Sequence, residues 1–234
     1  MRKPSIFIAI TGLIAALVLF LYALSALPPE NPEAKKTDLG SGAAGTTAAG
    51  TLTQPKVEFG NPMRGPANAP VTIVVFGDYL CAPCATLDGW LGEITKEFPD
   101  SVRVVWKDFP HSTNQLTTGT VAAIAARCAA AYGAFWEYHD RLLAEAQSLD
   151  QSTYGRIASE LGLDLDSFTR CLNDRSTLPL IERDINEGIG LNIDSTPYAF
   201  INSQRMSGAE SYVSLHQLVA DELAKAPAKT LDFK

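Results

Sequence analysis

Basic residues are scarce in this chain of 234 residues: 19 lysines and arginines stand against 26 acidic residues, for a net charge of −7. No stretch interleaves basic with aromatic side chains, which excludes the usual electrostatic footprint of a nucleic-acid binder. Histidine occurs only three times, as His111, His139 and His216, and at no ligand spacing. Cysteine occurs four times, with a single CxxC and no second one, so the sequence offers no paired zinc-binding knuckles. No metal and no cofactor is expected, and no internal repeat is visible.

What is present divides the chain. Hydrophobic residues make up 46% and charged residues 19%, enough for a packed core. Residues 1–5 carry Arg2 and Lys3, and residues 6–27 are an uncharged apolar run of 22 residues. A helix of that length reaches about 33 Å, enough to cross a bilayer core of about 30 Å. A cleaved signal peptide usually has an apolar region of only about 7–15 residues. The small residues at Ala23 to Ala26 leave that reading open as the alternative. We therefore expect one N-terminal transmembrane anchor, with Arg2 and Lys3 on the cytoplasmic side and everything after Leu27 outside. Residues 28–56 are rich in Pro, Gly, Ala and Thr and read as a flexible linker. The first 56 residues carry a net charge of +2, which leaves −9 for the remainder.

From Val57 the pattern becomes that of a domain, residues 57–226, followed by a tail at 227–234. Val71 to Phe76 form a nearly continuous apolar run between Pro70 and Gly77, as in a strand buried on both faces. The CxxC follows, then apolar residues at helical spacing (Leu87, Trp90, Leu91, Ile94 and Phe98), then a second strand over 102–109. This is a right-handed strand–helix–strand crossover. About 80 helical residues come next, an insertion at about 115–190, with Gly133, Gly162 and Gly190 as helix stops and Asp164 or Asp166 as a cap. Strands return at 198–202 and 204–208, and a last helix runs from about Glu210 to Ala226. The fold class is α/β, with a helical block inserted into the core.

Cys81 and Cys84 lie where a buried strand passes into a helix. A thiol at a helix N-terminus meets unpaired N–H groups and the positive end of the dipole, which favour its thiolate. Cys84, one turn in, is placed to attack a mixed disulfide at Cys81. Pro83 falls in the first turn, where a missing N–H costs little. Half of a zinc site lacks its other half, and a two-residue loop gains little as a structural staple. Cys128 and Cys171 sit mid-helix among apolar neighbours and read as a structural disulfide. Closing that loop is worth about 3–4 kcal/mol in the chain-entropy model. A second redox relay is the alternative. Thr196–Pro197 precedes a strand and marks a turn or a cis bond.

Together, NAPVTIVVFGDYLCAPC, VWKDFP, AARCAA, FWEYHDRLL, LGLDLDSFTRCL and STPYAFINSQRMSGAESY resemble the DsbA-like thiol:disulfide oxidoreductases, in their membrane-anchored branch. The resemblance covers about residues 57–226. It implies a thioredoxin-like core with an inserted helical subdomain, Cys81 as nucleophile and Cys84 as resolving cysteine. It implies a cis Pro197 facing the CxxC, with Thr196 contacting bound substrate, and it often brings a structural bridge at Cys128 and Cys171. Three departures stand out. Val75 occupies the place of a buried glutamate, leaving Asp78, in the loop, as the nearest acid. Ala82–Pro83 replaces a dipeptide with histidine. His111 lacks the usual surroundings and is assigned no role.

The expected function is oxidation of cysteine-containing extracytoplasmic proteins, with reoxidation by a membrane partner of DsbB or vitamin K epoxide reductase type. A reductase or isomerase using the same pair is the runner-up, and a non-catalytic docking module is the reading from a different class. The apolar run carries the first prediction. The mature chain should keep its N-terminus and stay in the membrane fraction after alkaline carbonate washing; a mature chain beginning near Leu27 would overturn the anchor.

Overall fold

A computed structural model describes residues 52–111 and 116–226. The apolar run at Ile6 to Leu27, most of the linker and the tail lie outside the described residues. Among the described residues no helix is long and apolar enough to cross a membrane.

Five strands form one mixed sheet: β1 (Met63–Arg64), β2 (Val71–Gly77), β3 (Val102–Asp108), β4 (Tyr198–Ile201) and β5 (Gln204–Ser207), in the order β1-β3-β2-β4-β5. β2 and β3 run parallel, joined by helix α1 (Ala82–Glu97), as their apolar runs and the crossover pattern require. The insertion supplies α2 (Thr118–Ala130), α3 (Phe135–Ala144), α4 (Gln151–Glu160), α5 (Leu165–Asp174) and α6 (Leu178–Gly190). Helix α7 (Tyr212–Lys225) closes the domain. The expected α/β core, interrupted by helices, is therefore the architecture observed.

Alternation along β2 divides the core. Ile73 and Val75 face a large cluster with Leu87, Leu91 and Ile94 of α1, Leu215 and Val219 of α7, and the inserted helices. Val74 and Phe76 face a smaller cluster with Val105, Phe200, Leu191 and Ile193. Leu52 packs on this second cluster. The Lys56 N–H donates to Glu187 Oε1 at 2.5 Å, and the Thr53 carbonyl accepts from Arg205. Ordered contacts thus begin inside the stretch read as linker, four residues before its expected end.

Several local expectations change. Gly133 and Gly162 take positive φ, +71° and +70°, and end helices there, but Gly190 lies within the last turn of α6 and Asn192 takes the left-handed conformation instead, at φ 58°. Asp164 is the N-cap of α5, accepting from the Ser167 N–H. β1 has no counterpart in the sequence pattern, because two residues show no period. Cys128 and Cys171 lie in the C-terminal halves of α2 and α5 rather than at mid-helix.

A buried ionic network joins sheet to insertion. Arg127 of α2 donates through Nε to Asp108 Oδ2 at 2.6 Å and through a terminal nitrogen to Asp184 Oδ2 at 2.5 Å. Lys107 Nζ reaches Glu187 at 2.5 Å and Asp184 at 3.6 Å. Lys107, Asp108, Arg127 and Asp184 are all buried. Removing one partner leaves an uncompensated buried charge. Arg127→Met should therefore cost about 3–5 kcal/mol of stability, seen as a lower urea midpoint with an unchanged slope. A loss below about 1 kcal/mol would show that the network does not hold the insertion in place.

Candidate functional site

The CxxC and the Thr196–Pro197 peptide gather at one end of the sheet. β2 runs out at Gly77, and its antiparallel neighbour β4 begins at Tyr198, which pairs with Phe76. The CxxC that follows β2 and the Thr196–Pro197 that precedes β4 therefore leave the sheet at the same edge. The Thr196–Pro197 peptide is cis. Thr196 is half-buried and Pro197 buried. The chain turns tightly into the site because residue 77 has no side chain: a Cβ there would lie 2.2 Å from the Trp106 ring.

Cys81 is the N-cap of α1, with Pro83 in the first turn. Its Sγ accepts from the Cys84 N–H at 3.2 Å, so a helix N–H points at the sulfur that would carry negative charge. Cys81 and Cys84 are bonded to each other. Cys81 is half-exposed while Cys84 is 1% exposed, so an incoming sulfur can reach only the first of them. Cys128 and Cys171 are bonded across α2 and α5, with Cys128 buried.

Asp78, expected as a loop acid, is 7% exposed. Its carboxylate accepts the Leu80 N–H at 3.0 Å and the His111 N–H at 3.2 Å, while its carbonyl accepts the Cys81 N–H at 3.1 Å. It braces the turn that delivers the CxxC. The His111 side chain is exposed. Beside Thr196 lies a cleft of about 180 Å³, lined largely by Phe109, Pro110, Ile185, Ile189 and Ile193.

Sequence reasoning missed the buried polar groups around this edge. Trp106 Nε1 donates to Asp108 at 2.8 Å, linking the site to the ionic network. Tyr79 and His139 share a hydrogen bond of 3.0 Å. Burial, and then the Asp108 carboxylate, push the Tyr79 phenol well above its ordinary pKa. Asp88 goes the other way. Burial opposes ionisation there, but contact with His139 and then Arg64 outweighs it and lowers the pKa. Burial, then the nearby Asp88, raise the pKa of Asp140. Arg127, alone among alanines in a buried helix, was the one visible sign of this polar web.

Asp88, His139 and Asp140 bring their ligand atoms within 4.8 Å of one another, a trio that sequence spacing hides. Arg64 already occupies it, 2.7 Å from Asp88 and 3.6 Å from Asp140, and supplies the positive charge a metal would bring.

Comparison with known proteins agrees with this geometry. A family model described as thioredoxin matches residues 59–221. The chain is similar to a thioredoxin-like oxidoreductase from Silicibacter pomeroyi, at 24% identity and a TM-score of 0.64, covering 73% of this chain and 95% of that one. It is also similar to the thiol-disulfide exchange protein alpha-DsbA2 from Wolbachia pipientis, at 20% identity and a TM-score of 0.63, covering 70% and 88%. Among curated proteins, the Na(+)/H(+) antiporter NhaA 3 of Salinispora tropica is 36% identical over 164 residues, 70% of this chain and 25% of that protein. The chain spans about a quarter of the length of the curated relatives it matches.

Each disulfide pairs one buried and one partly exposed cysteine, so the place of Cys81 at a helix N-cap, not burial, carries a prediction. Graded reductant followed by alkylation and peptide mapping should label Cys81 well before Cys128 or Cys171, since the helix N–H on the Cys81 sulfur stabilises the thiolate formed when that bridge opens. Simultaneous labelling of all four would contradict the assignment of the second bridge to structure.

Proposed function

The chain belongs to the thioredoxin family, and on that premise we propose that it is a DsbA-like thiol:disulfide oxidoreductase that works as an oxidase of secreted or membrane proteins outside the cytoplasmic membrane. The observation that carries the reading is the asymmetry of the pair, an accessible Cys81 capping a helix and a buried Cys84 behind it. A substrate thiolate attacks Cys81 Sγ and breaks the Cys81–Cys84 bond. Cys84 leaves as a thiolate and takes up a proton. A second substrate thiolate attacks the substrate sulfur of the mixed disulfide, and Cys81 leaves as a thiolate. Two substrate thiols have lost two electrons, and the pair holds them.

Oxidation is favoured as direction because thiolate stabilisation at Cys81 makes it a good leaving group and stabilises the reduced form. Thr196 and Pro197 would present backbone to the bound substrate from the β4 side. Reoxidation would fall to a quinone-linked membrane partner of DsbB or vitamin K epoxide reductase type, within reach if the apolar run 6–27 serves as the anchor the sequence leads one to expect. Reduction or isomerisation by the same pair is the second reading. The absence of a histidine between the cysteines favours it, since that leaves the thiolate less stabilised than in a strong oxidant. Ion transport is said of the antiporters alone, most of whose length lies outside the match.

The domain should oxidise a reduced, unfolded protein substrate in stoichiometric amount, and Cys81→Ser should abolish this. Cys84→Ser, which cannot form the internal disulfide, should fail with the reduced substrate and trap a mixed disulfide only with a disulfide-bonded one. Cys81 should titrate below a free thiol, followed by thiolate absorbance. Retained function in Cys81→Ser would mark a docking module instead.

A further inference from the structure

Val75 leaves the redox pair without the buried acid expected beneath it, and across the sheet Val75 pairs with Trp106, another apolar partner. Packed against Trp106 is an imidazole. His139, on α3, is fully buried, with its ring centroid 4.5 Å from Trp106, 5.1 Å from Trp136, 5.3 Å from Tyr79 and 5.5 Å from Phe135. Burying a polar ring among four aromatics is costly unless its nitrogens have partners. Nδ1 lies 3.0 Å from Tyr79 Oη. Nε2 makes no hydrogen bond of normal geometry but faces Asp88 Oδ1 at 3.4 Å. Arg64 of β1 closes the chain on Asp88. Asp140, bound loosely to Arg64, and Asp108 and Arg127 of the buried network are the other charges nearby.

The positions of these partners matter more than their number. Tyr79 stands two residues before Cys81, in the turn that delivers it. Asp88 stands four residues after Cys84, one turn further along the same face of α1. Nδ1 shares its hydrogen bond with Tyr79, and Nε2, on the other side of the ring, faces the Asp88 carboxylate. One buried ring of the insertion thus holds both the turn before the CxxC and the helix that begins with it.

We propose that His139 is a positioning residue of the redox centre, which locks the Tyr79 turn to α1 so that the first N–H groups of the helix stay aimed at the Cys81 sulfur. The proposal rests on the reading of Cys81 as the nucleophile. A hydrogen bond to a thiolate is charge-assisted, and it weakens steeply as its angle opens, so a small rotation of the turn is enough to alter the reactivity of Cys81.

Two variants remove this contact. Tyr79→Phe removes one oxygen; His139→Phe keeps an aromatic ring and removes both nitrogens. Each should raise the pKa of Cys81 by about 0.5–1 unit, read by thiolate absorbance on the reduced domain. The disulfide should become less oxidising, by roughly 3- to 10-fold in the equilibrium constant with glutathione. The Tyr79→Phe/His139→Phe double variant should shift little further than His139→Phe alone, since both remove the same bond. Folded variants with the wild-type titration and the wild-type glutathione constant would overturn the proposal and leave His139 a packing residue. If His139→Phe does not fold, Tyr79→Phe decides the matter by itself. A wild-type Cys81 that titrates as a free thiol is a different failure, since it removes the redox reading on which the proposal stands.

Discussion

The Arg127 guanidinium, held between Asp108 at the end of β3 and Asp184 on α6, is the contact on which the arrangement of this molecule depends. The sheet and the inserted helices each bury apolar surface, but apolar contact is non-directional and tolerates sliding. A buried cation with two buried carboxylates does not tolerate it, because any displacement strands a charge away from water. The same guanidinium donates to the Gly60 carbonyl at 2.7 Å, and Asn61 reaches Asp184. The entry of the chain into the domain is thus tied to the same point. Burial lifts the pKa of Asp184, Arg127 pulls it back, and the Asp108 charge lifts it again, a balance that shows how crowded the site is with like charge.

From that fixed join the redox edge follows. Asp108 takes the indole N–H of Trp106, and Trp106 packs on Tyr79 and His139. The turn carrying Asp78, Tyr79 and Leu80 is therefore gripped from the sheet, from the β3–α2 connection through the His111 N–H, and from α3. A redox cysteine at a helix end works by fixed dipoles, and fixed dipoles need a turn that cannot relax when the charge on sulfur changes. The helical insertion, which brings neither cysteine of the pair, contributes to the site by holding it.

The sequence disclosed those parts that short-range pattern controls. β2 and β3 are apolar runs bounded by proline, glycine and aspartate, and α1 follows the CxxC with clean helical spacing, so the crossover was legible. The helical block was legible too, because its stops and caps are local. What escaped was non-local. β1 is a strand only because β3 offers Val104 and Val105 to pair with. Leu52 is ordered only because Phe200 and Leu191 leave a surface for it. Asp88 and His139 are 51 positions apart in the chain, and no periodicity brings them together. Gly190 misled as a helix stop because glycine signals permission for a left-handed turn, not its location, and Asn192 used that conformation two residues later.

The apolar pair Val75 and Trp106 has a consequence for how this domain differs from its resemblance. A buried carboxylate beneath a redox pair exchanges protons with the inner thiol but also places negative charge near it. With Val75 there, neither effect operates at that position. The polar groups that remain stand further out: Asp78 spends its carboxylate on backbone N–H groups, and Asp88 is committed to Arg64 and His139. Both carboxylates are thereby turned from charge toward geometry. The electrostatics at Cys81 then rest chiefly on the helix N-terminus, whose contribution is short-ranged and depends on aim. A site built this way gains its reactivity from the rigidity of its surroundings, which accounts for so many buried hydrogen bonds converging on a turn of three residues.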